Sequence, residues 1–210
     1  MLQAAENNLL VTVSMKYIKN ITNILRESAI QNNSSVDPSD IVNIVGTVAS
    51  IPYRITTKKR GYAGFSTKDI QIGDTVIFRF DVIYQFTNIS QTERKFTNQI
   101  WYNGQEYWAC DIQKVFAVIR DGEIKMVNGY VMIEDYEPPK IILSQGHARV
   151  RGAQQSQVLH IGSAKENLKN LDIVPRETIY FNPNVAAKYQ INGKPFRIIQ
   201  QASILCKEAD

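Results

Sequence analysis

The sequence predicts a mainly all-β protein: two tandem copies of one small β-barrel, residues 1–122 and 123–210, with a short helical insertion in the first. Three observations predict it. Apolar and polar residues nearly alternate over many short runs, which is the period of strands. Turn-forming residues recur between those runs, as they do in small barrels and sandwiches. One ordered set of segments also occurs twice along the chain, the mark of a repeat.

The elements follow in order. Residues 9–15 open the first unit as a strand, with further strands expected at 42–51, 75–84, 106–109 and 116–119. In the second unit residues 129–135 play the opening part, and 158–161, 178–181, 196–199 and 204–206 follow. One segment breaks the pattern. Tyr17, Ile18, Ile21, Ile24, Leu25 and Ala29 recur at the three-and-four spacing of an amphipathic helix. It runs into a polar stretch, residues 31–40, whose Asn, Ser, Asp and Pro favour turns. A second polar stretch, 87–98, is expected to be an exposed hairpin tip.

The repeat is visible residue by residue. Ile70-Gln71-Ile72-Gly73-Asp74-Thr75-Val76-Ile77-Phe78 aligns with Ile173-Val174-Pro175-Arg176-Glu177-Thr178-Ile179-Tyr180-Phe181 at an offset of 103. Downstream, Asn103-Gly104 aligns with Asn192-Gly193 at an offset of 89, and each Asn-Gly is a two-residue hairpin turn because both residues tolerate positive φ. The first unit therefore carries 14 additional residues, assigned to the 87–98 region, where lengthening a surface hairpin costs little.

Composition narrows the function classes. With 44% apolar and 21% charged residues the chain suits a folded globular protein. Its apolar runs are too short for a membrane helix and its first residues lack the pattern of a signal peptide, so a cytoplasmic location is expected. Cys110 and Cys206 form no CxxC pair, and with only His147 and His160 beside them no zinc ligand set is expected. The net charge of +4 is a weak excess, 24 basic against 20 acidic residues, and no nucleic-acid partner is expected. Neither histidine has a Ser or Cys at diagnostic spacing and no phosphate-binding Gly-rich loop occurs, so no catalytic residues, no cofactor and no enzymatic activity are expected.

This ordered set resembles the GroES-type co-chaperonin family. Members have a barrel subunit with an early mobile loop bearing an aliphatic patch, a Gly-Asp-x-Val-x-Phe strand, an Asn-Gly or Asp-Gly hairpin and an Asp-Ile-Leu-like end. The second unit follows that order with Tyr130-Val131-Met132-Ile133-Glu134, Pro138-Pro139-Lys140-Ile141-Ile142-Leu143-Ser144, Val158-Leu159-His160-Ile161-Gly162 and Ser203-Ile204-Leu205-Cys206. The first keeps Gly46-Thr47-Val48, Gly73-Asp74-Thr75-Val76-Ile77-Phe78 and Asn103-Gly104. It departs from the pattern in the 17–29 segment and in the hairpin flanked by Trp101 and Tyr102. The second unit has Pro175-Arg176-Glu177 in place of Gly-Asp.

The resemblance implies a ring-forming lid that binds a GroEL-type chaperonin through exposed aliphatic loops, the ATP being bound by that partner. Ile141, Ile142 and Leu143 then stand in the mobile loop; the other reading makes them an edge strand of the barrel. Ile21, Ile24 and Leu25 are either a second partner-binding element or a helix laid over the barrel or a neighbour. Lys58, Lys59, Arg60 and Tyr62 fall where the resemblance places the roof of the dome, and a plain solvated loop is the other reading. A different class of function uses the same barrels as a structural ring or adaptor in a larger assembly such as a virus particle.

Overall fold

Thirteen strands in antiparallel pairs form two sheets in the computed structural model, which describes residues 2–14, 44–56, 62–83, 98–136, 152–165, 172–191 and 194–208. The first sheet holds β1 (Asn8–Val13), β2 (Ile44–Ser50), β3 (Thr75–Phe78), β4 (Gln99–Tyr102), β5 (Gln105–Asp111), β6 (Val115–Arg120) and β7 (Glu123–Met126), in the order β4-β5-β1-β2-β3-β6-β7. The second holds β8 (Tyr130–Glu134), β9 (Gln154–His160), β10 (Thr178–Phe181), β11 (Ala187–Ile191), β12 (Lys194–Gln200) and β13 (Ile204–Lys207), in the order β11-β12-β8-β9-β10-β13. The protein is all-β as expected: helical geometry among the described residues is confined to 3-10 turns at Phe80–Val82, Ile112–Lys114, Pro183–Val185 and Gln201–Ser203. The helical insertion expected over residues 17–29 lies outside the described residues.

The two sheets have one topology. Replacing β1 to β6 by β8 to β13 converts the first order into the second, and the pairing registers agree. Leu9 faces Cys110 as Val131 faces Ile199, which fixes offsets of 122 for the opening strand and 89 for β5 and β6. Both opening pairs slip at matching places, between Leu10 and Val11 against β2 and between Met132 and Ile133 against β9, which gives an offset of 110 for the second strand. Both closing pairs slip too, between Ile77 and Phe78 and between Tyr180 and Phe181. The offsets of 103 and 89 read from the sequence are those of the strands themselves, and the extra residues of the first unit fall between Val82 and Gln99.

Burial repeats with the strands. The second unit's own core is Val131, Ile133, Val158, Ile173, Ile179, Phe181 and Ile199. At the corresponding offsets stand Leu9, Val11, Val48, Ile70, Val76, Phe78 and Cys110, every one of them in the core of the first unit. Each such aliphatic or aromatic side chain contributes about 1.5–3 kcal/mol when fully buried. The alternating pattern of each strand is therefore what sets its register, because a slip of one residue turns the core face outward.

Two features differ from the sequence reading. The strand expected to run from 75 to 84 stops at Phe78: the Arg79 N–H pairs with the Lys114 carbonyl at 3.0 Å and the chain coils so that Val82 N–H reaches the Arg79 carbonyl at 3.2 Å. Val82 and Ile83 are buried by that turn, so their apolar pattern looked like strand. Three short strands, β4, β7 and β11, were not expected. β7 is returned onto β6 by a two-residue turn at Asp121 and Gly122, whose φ values are 53° and 82°.

The two sheets meet at a seam. Phe116 of β6 packs edge-on against Tyr130 and Tyr189 of the second unit, with ring centroids 5.0 and 5.1 Å apart, and joins Met132, Phe196 and Ile198 in one buried cluster. The Tyr130 hydroxyl donates to the Gln113 carbonyl at 2.7 Å, and Asn128, between β7 and β8, accepts from the Ser66 N–H at 2.8 Å. Ser163 donates to Asp69. Met126, at the end of β7, bridges in parallel to Gly162, and a Cβ on that glycine would lie 1.6 Å from the Met126 carbonyl oxygen.

Candidate partner-binding surface

The expected partner-binding residues fall in equivalent places. Ile21, Ile24 and Leu25 belong to the connection between β1 and β2, and Ile141, Ile142 and Leu143 to the connection between β8 and β9. The offset falls from 122 to 110 across that connection, so the first unit's version is longer by the difference of 12 residues. All six residues lie outside the described residues.

The base of the β8–β9 connection is fixed by charge. Asp135 accepts from Arg197 Nε at 2.9 Å and pairs with Lys188 at 3.0 Å. Arg197 also donates to the carbonyls of Ala186 and Tyr136, each at 3.3 Å, and lies over the Tyr136 ring at 4.5 Å. Tyr136 in turn packs against Phe181 with centroids 5.4 Å apart. Burial alone would raise the Asp135 carboxyl; Lys188 and Arg197 outweigh it and hold the group below its ordinary value. In the first unit the positions corresponding to Asp135 and Arg197 are Val13 and the fully buried Trp108, so there the base is apolar.

Of the expected roof residues, Lys58, Lys59 and Arg60 lie outside the described residues. They belong to the connection between β2 and β3, which leaves β2 at the end opposite the β1–β2 connection. Tyr62 is described: it is half-buried against the first unit's core, and its hydroxyl donates to Asp111. Burial, together with that carboxylate, pushes the phenol up to about 12. The other Asp111 oxygen accepts from the Gln113 N–H at 2.9 Å, so Tyr62 ties its loop to the turn after β5.

A groove runs along the seam that the sequence did not reveal. It has two adjoining hollows of about 290 and 340 Å³ that share Arg79, Tyr130 and Gln200. Its cations are held internally: Asp81 pairs with Lys114 at 3.0 Å and Arg79 at 3.3 Å, while the Lys165 ammonium bonds to Gln200 Oε1 at 3.3 Å and lies 4.3 Å over the Phe65 ring. Burial lowers the Lys165 pKa. These residues come from distant stretches of chain, so no local motif marks them. Among the described residues no group of three His, Cys, Asp or Glu side chains could hold a metal ion, and no helix is long and apolar enough to cross a membrane.

Apolar side chains stand out at two strand edges, Trp101 on β4 at 67% exposure and Leu205 on β13 at 64%. Tyr102 is exposed beside Trp101. No protein-family model and no curated protein matches this chain.

Proposed function

We propose that this chain is a ring-forming lid of the GroES co-chaperonin type, built from two tandem barrel units, that caps a GroEL-type chaperonin and assists protein folding. The observation that supports this reading best is the repetition of one strand order, one set of slips and one core, with an aliphatic segment in the same connection of each unit. Ile141, Ile142 and Leu143 are the contact residues of the second unit, and Ile21, Ile24 and Leu25 of the first. Each aliphatic side chain moved from water into a partner's groove contributes about 1.5–3 kcal/mol, offset by the cost of ordering the loop. Single loops then bind weakly, and several on one ring bind tightly through effective concentration. On this reading the basic Lys58-Lys59-Arg60 segment, next to Tyr62 whose hydroxyl donates to Asp111, serves as the roof. The chain performs no chemistry, and ATP is bound and hydrolysed by the partner.

The test is capture of the protein by an immobilised GroEL-type chaperonin with nucleotide. The Ile141→Ser, Ile142→Ser, Leu143→Ser triple variant is expected to lose capture by at least about a hundredfold; unchanged capture would contradict the assignment. A second reading, a structural ring or adaptor within a larger assembly such as a virus particle, is favoured by the exposed Trp101 and Tyr102, since aromatics are enriched where partners pack. Under that reading, Trp101→Ala removes assembly into the particle and leaves chaperonin capture absent throughout.

A further inference from the structure

We propose that the seam groove binds a small monoanionic carboxylate with an apolar or aromatic body, its head held by Lys165, Arg79 and Lys114 and its body lying along Phe116, Tyr189 and Ile198. The inference stands apart from the lid reading, which makes no use of the groove.

The repeat shows that the fold does not need these cations. The offsets of 103, 89 and 110 carry Arg79, Lys114 and Lys165 onto Asn182, Ser203 and Ile55. The backbone at the first two places is shared: the Arg79 N–H reaches the Lys114 carbonyl at 3.0 Å, and the Asn182 N–H reaches the Ser203 carbonyl at 3.4 Å. One topology is thus built once with three cations and once with three uncharged residues. Something other than the fold gives the charged set its use.

The balance of charge leaves one positive charge over. Arg79 at 3.3 Å and Lys114 at 3.0 Å share a single oxygen of Asp81, Oδ2. Asp111, on the wall of the first hollow, accepts from the Tyr62 hydroxyl and the Gln113 N–H. Among the described residues Lys165 has neutral partners only, Gln200 Oε1 at 3.3 Å and the Phe65 ring at 4.3 Å. Three cations therefore meet two carboxylates. Burial lowers the Lys165 pKa with no carboxylate to counter it, and a partly desolvated ammonium gains most from an anion brought into the same space. The Asp111 carboxylate sets the limit: one negative charge on the ligand balances the site, and a second would be repelled.

The head site is held in place before any ligand arrives. The Gly129 N–H donates to the Ser163 carbonyl at 2.8 Å, and the Gly129 carbonyl accepts from the Gln201 N–H at 2.8 Å. Gly129 thus fixes both stretches that carry Lys165 and Gln200, and a Cβ on it would lie 3.3 Å from the backbone nitrogen of Lys165. Across the groove the Tyr130 hydroxyl donates to the Gln113 carbonyl at 2.7 Å. Groups already in position bind without the cost of ordering them.

The body site adjoins the head site. The second hollow, of about 340 Å³, is walled by Phe116, Tyr189, Ile198 and Val185, and it meets the first, of about 290 Å³, at Arg79, Tyr130 and Gln200. A cationic hollow beside an apolar one suits a ligand with a charged end and an apolar end, and the volumes are those of a small-molecule pocket.

Titration of the full chain with phenylacetate, followed by backbone amide resonances, is expected to saturate and to shift Gly129, Lys165 and Gln200. Acetate lacks the body, benzyl alcohol lacks the charge and phenyl phosphate carries a second one; each is expected to bind at least about tenfold more weakly. Lys165→Met keeps the stem on Phe65, and Val185→Asp changes an exposed position in the second hollow. Each is expected to weaken phenylacetate binding at least about tenfold with an unchanged thermal midpoint. No saturable shift at those three residues, wild-type binding by either variant, or tighter binding of benzyl alcohol or phenyl phosphate than of phenylacetate would overturn the inference.

Discussion

Asp74 closes the turn before β3, and Glu177 closes the matching turn before β10. Asp74 accepts the Gln71 N–H at 2.6 Å and both Nε and a terminal nitrogen of Arg120, at 2.8 and 2.7 Å; Glu177 accepts the Val174 N–H at 2.8 Å and Lys207 at 2.9 Å. Each carboxylate thus ties its turn to the last strand of its own repeat. Ahead of them Gly73 has φ 93° and Arg176 φ 78°, so the left-handed turn survives the exchange of glycine for arginine. The Arg120 hydrogen bonds outweigh burial and hold the Asp74 carboxyl below its ordinary 3.8. A depressed folded-state pKa means that the stabilisation is complete above the ordinary value and is lost as pH falls through the folded one. Asp74→Asn is therefore expected to cost about 1.5 kcal/mol at neutral pH. In urea titrations the gap from wild type is expected to hold near pH 6 and to close below about pH 4. A gap independent of pH would remove the charge from the explanation.

At the scale of elements, the parts of the fold written in local pattern were legible and the parts written in long-range pairing were not. Val76 and Ile77 announce β3 by their own sequence, and the Asn-Gly turn announces β5. β4, β7 and β11 are strands of only 4 or 5 residues at sheet margins, too short for their pattern to be read; the motif Glu-Ile-Lys-Met of β7 alternates, but only over 4 residues. The seam groove was invisible because Arg79, Lys114, Lys165 and Gln200 gain meaning only once β6 and β12 are folded. The Cys110 thiol shows the same limit: its place in the core, equivalent to Ile199, follows from register rather than from cysteine chemistry, and burial raises its pKa. Gly162 is the element-scale test of the seam. A side chain there meets the Met126 carbonyl, so Gly162→Ala is expected to destabilise by more than about 3 kcal/mol in denaturant unfolding. Wild-type stability would show that β7 does not lie against Gly162.

At the scale of the whole molecule, a duplicated unit gives the chain two sheets of one strand order that meet at a seam of unlike surfaces. Under the proposed lid reading, the sheets would set the geometry of the assembly and the β1–β2 and β8–β9 connections would carry the contacts with the partner. On that reading the cost of ordering each loop would oppose binding, and the strength of capping would depend on how many loops are engaged at once. The order of the repeated segments was legible because their apolar spacing had to be kept for the core. The chaperonin partner is proposed from resemblance alone, through residues whose value would lie in a surface that this chain does not contain.

The most direct measurement is sedimentation of the purified protein with a GroEL-type chaperonin, with and without ATP. The account requires this chain to travel with the chaperonin only when nucleotide is present, and to travel alone once Ile141, Ile142 and Leu143 are serine. A chain that sediments apart from the chaperonin under every nucleotide condition would contradict it.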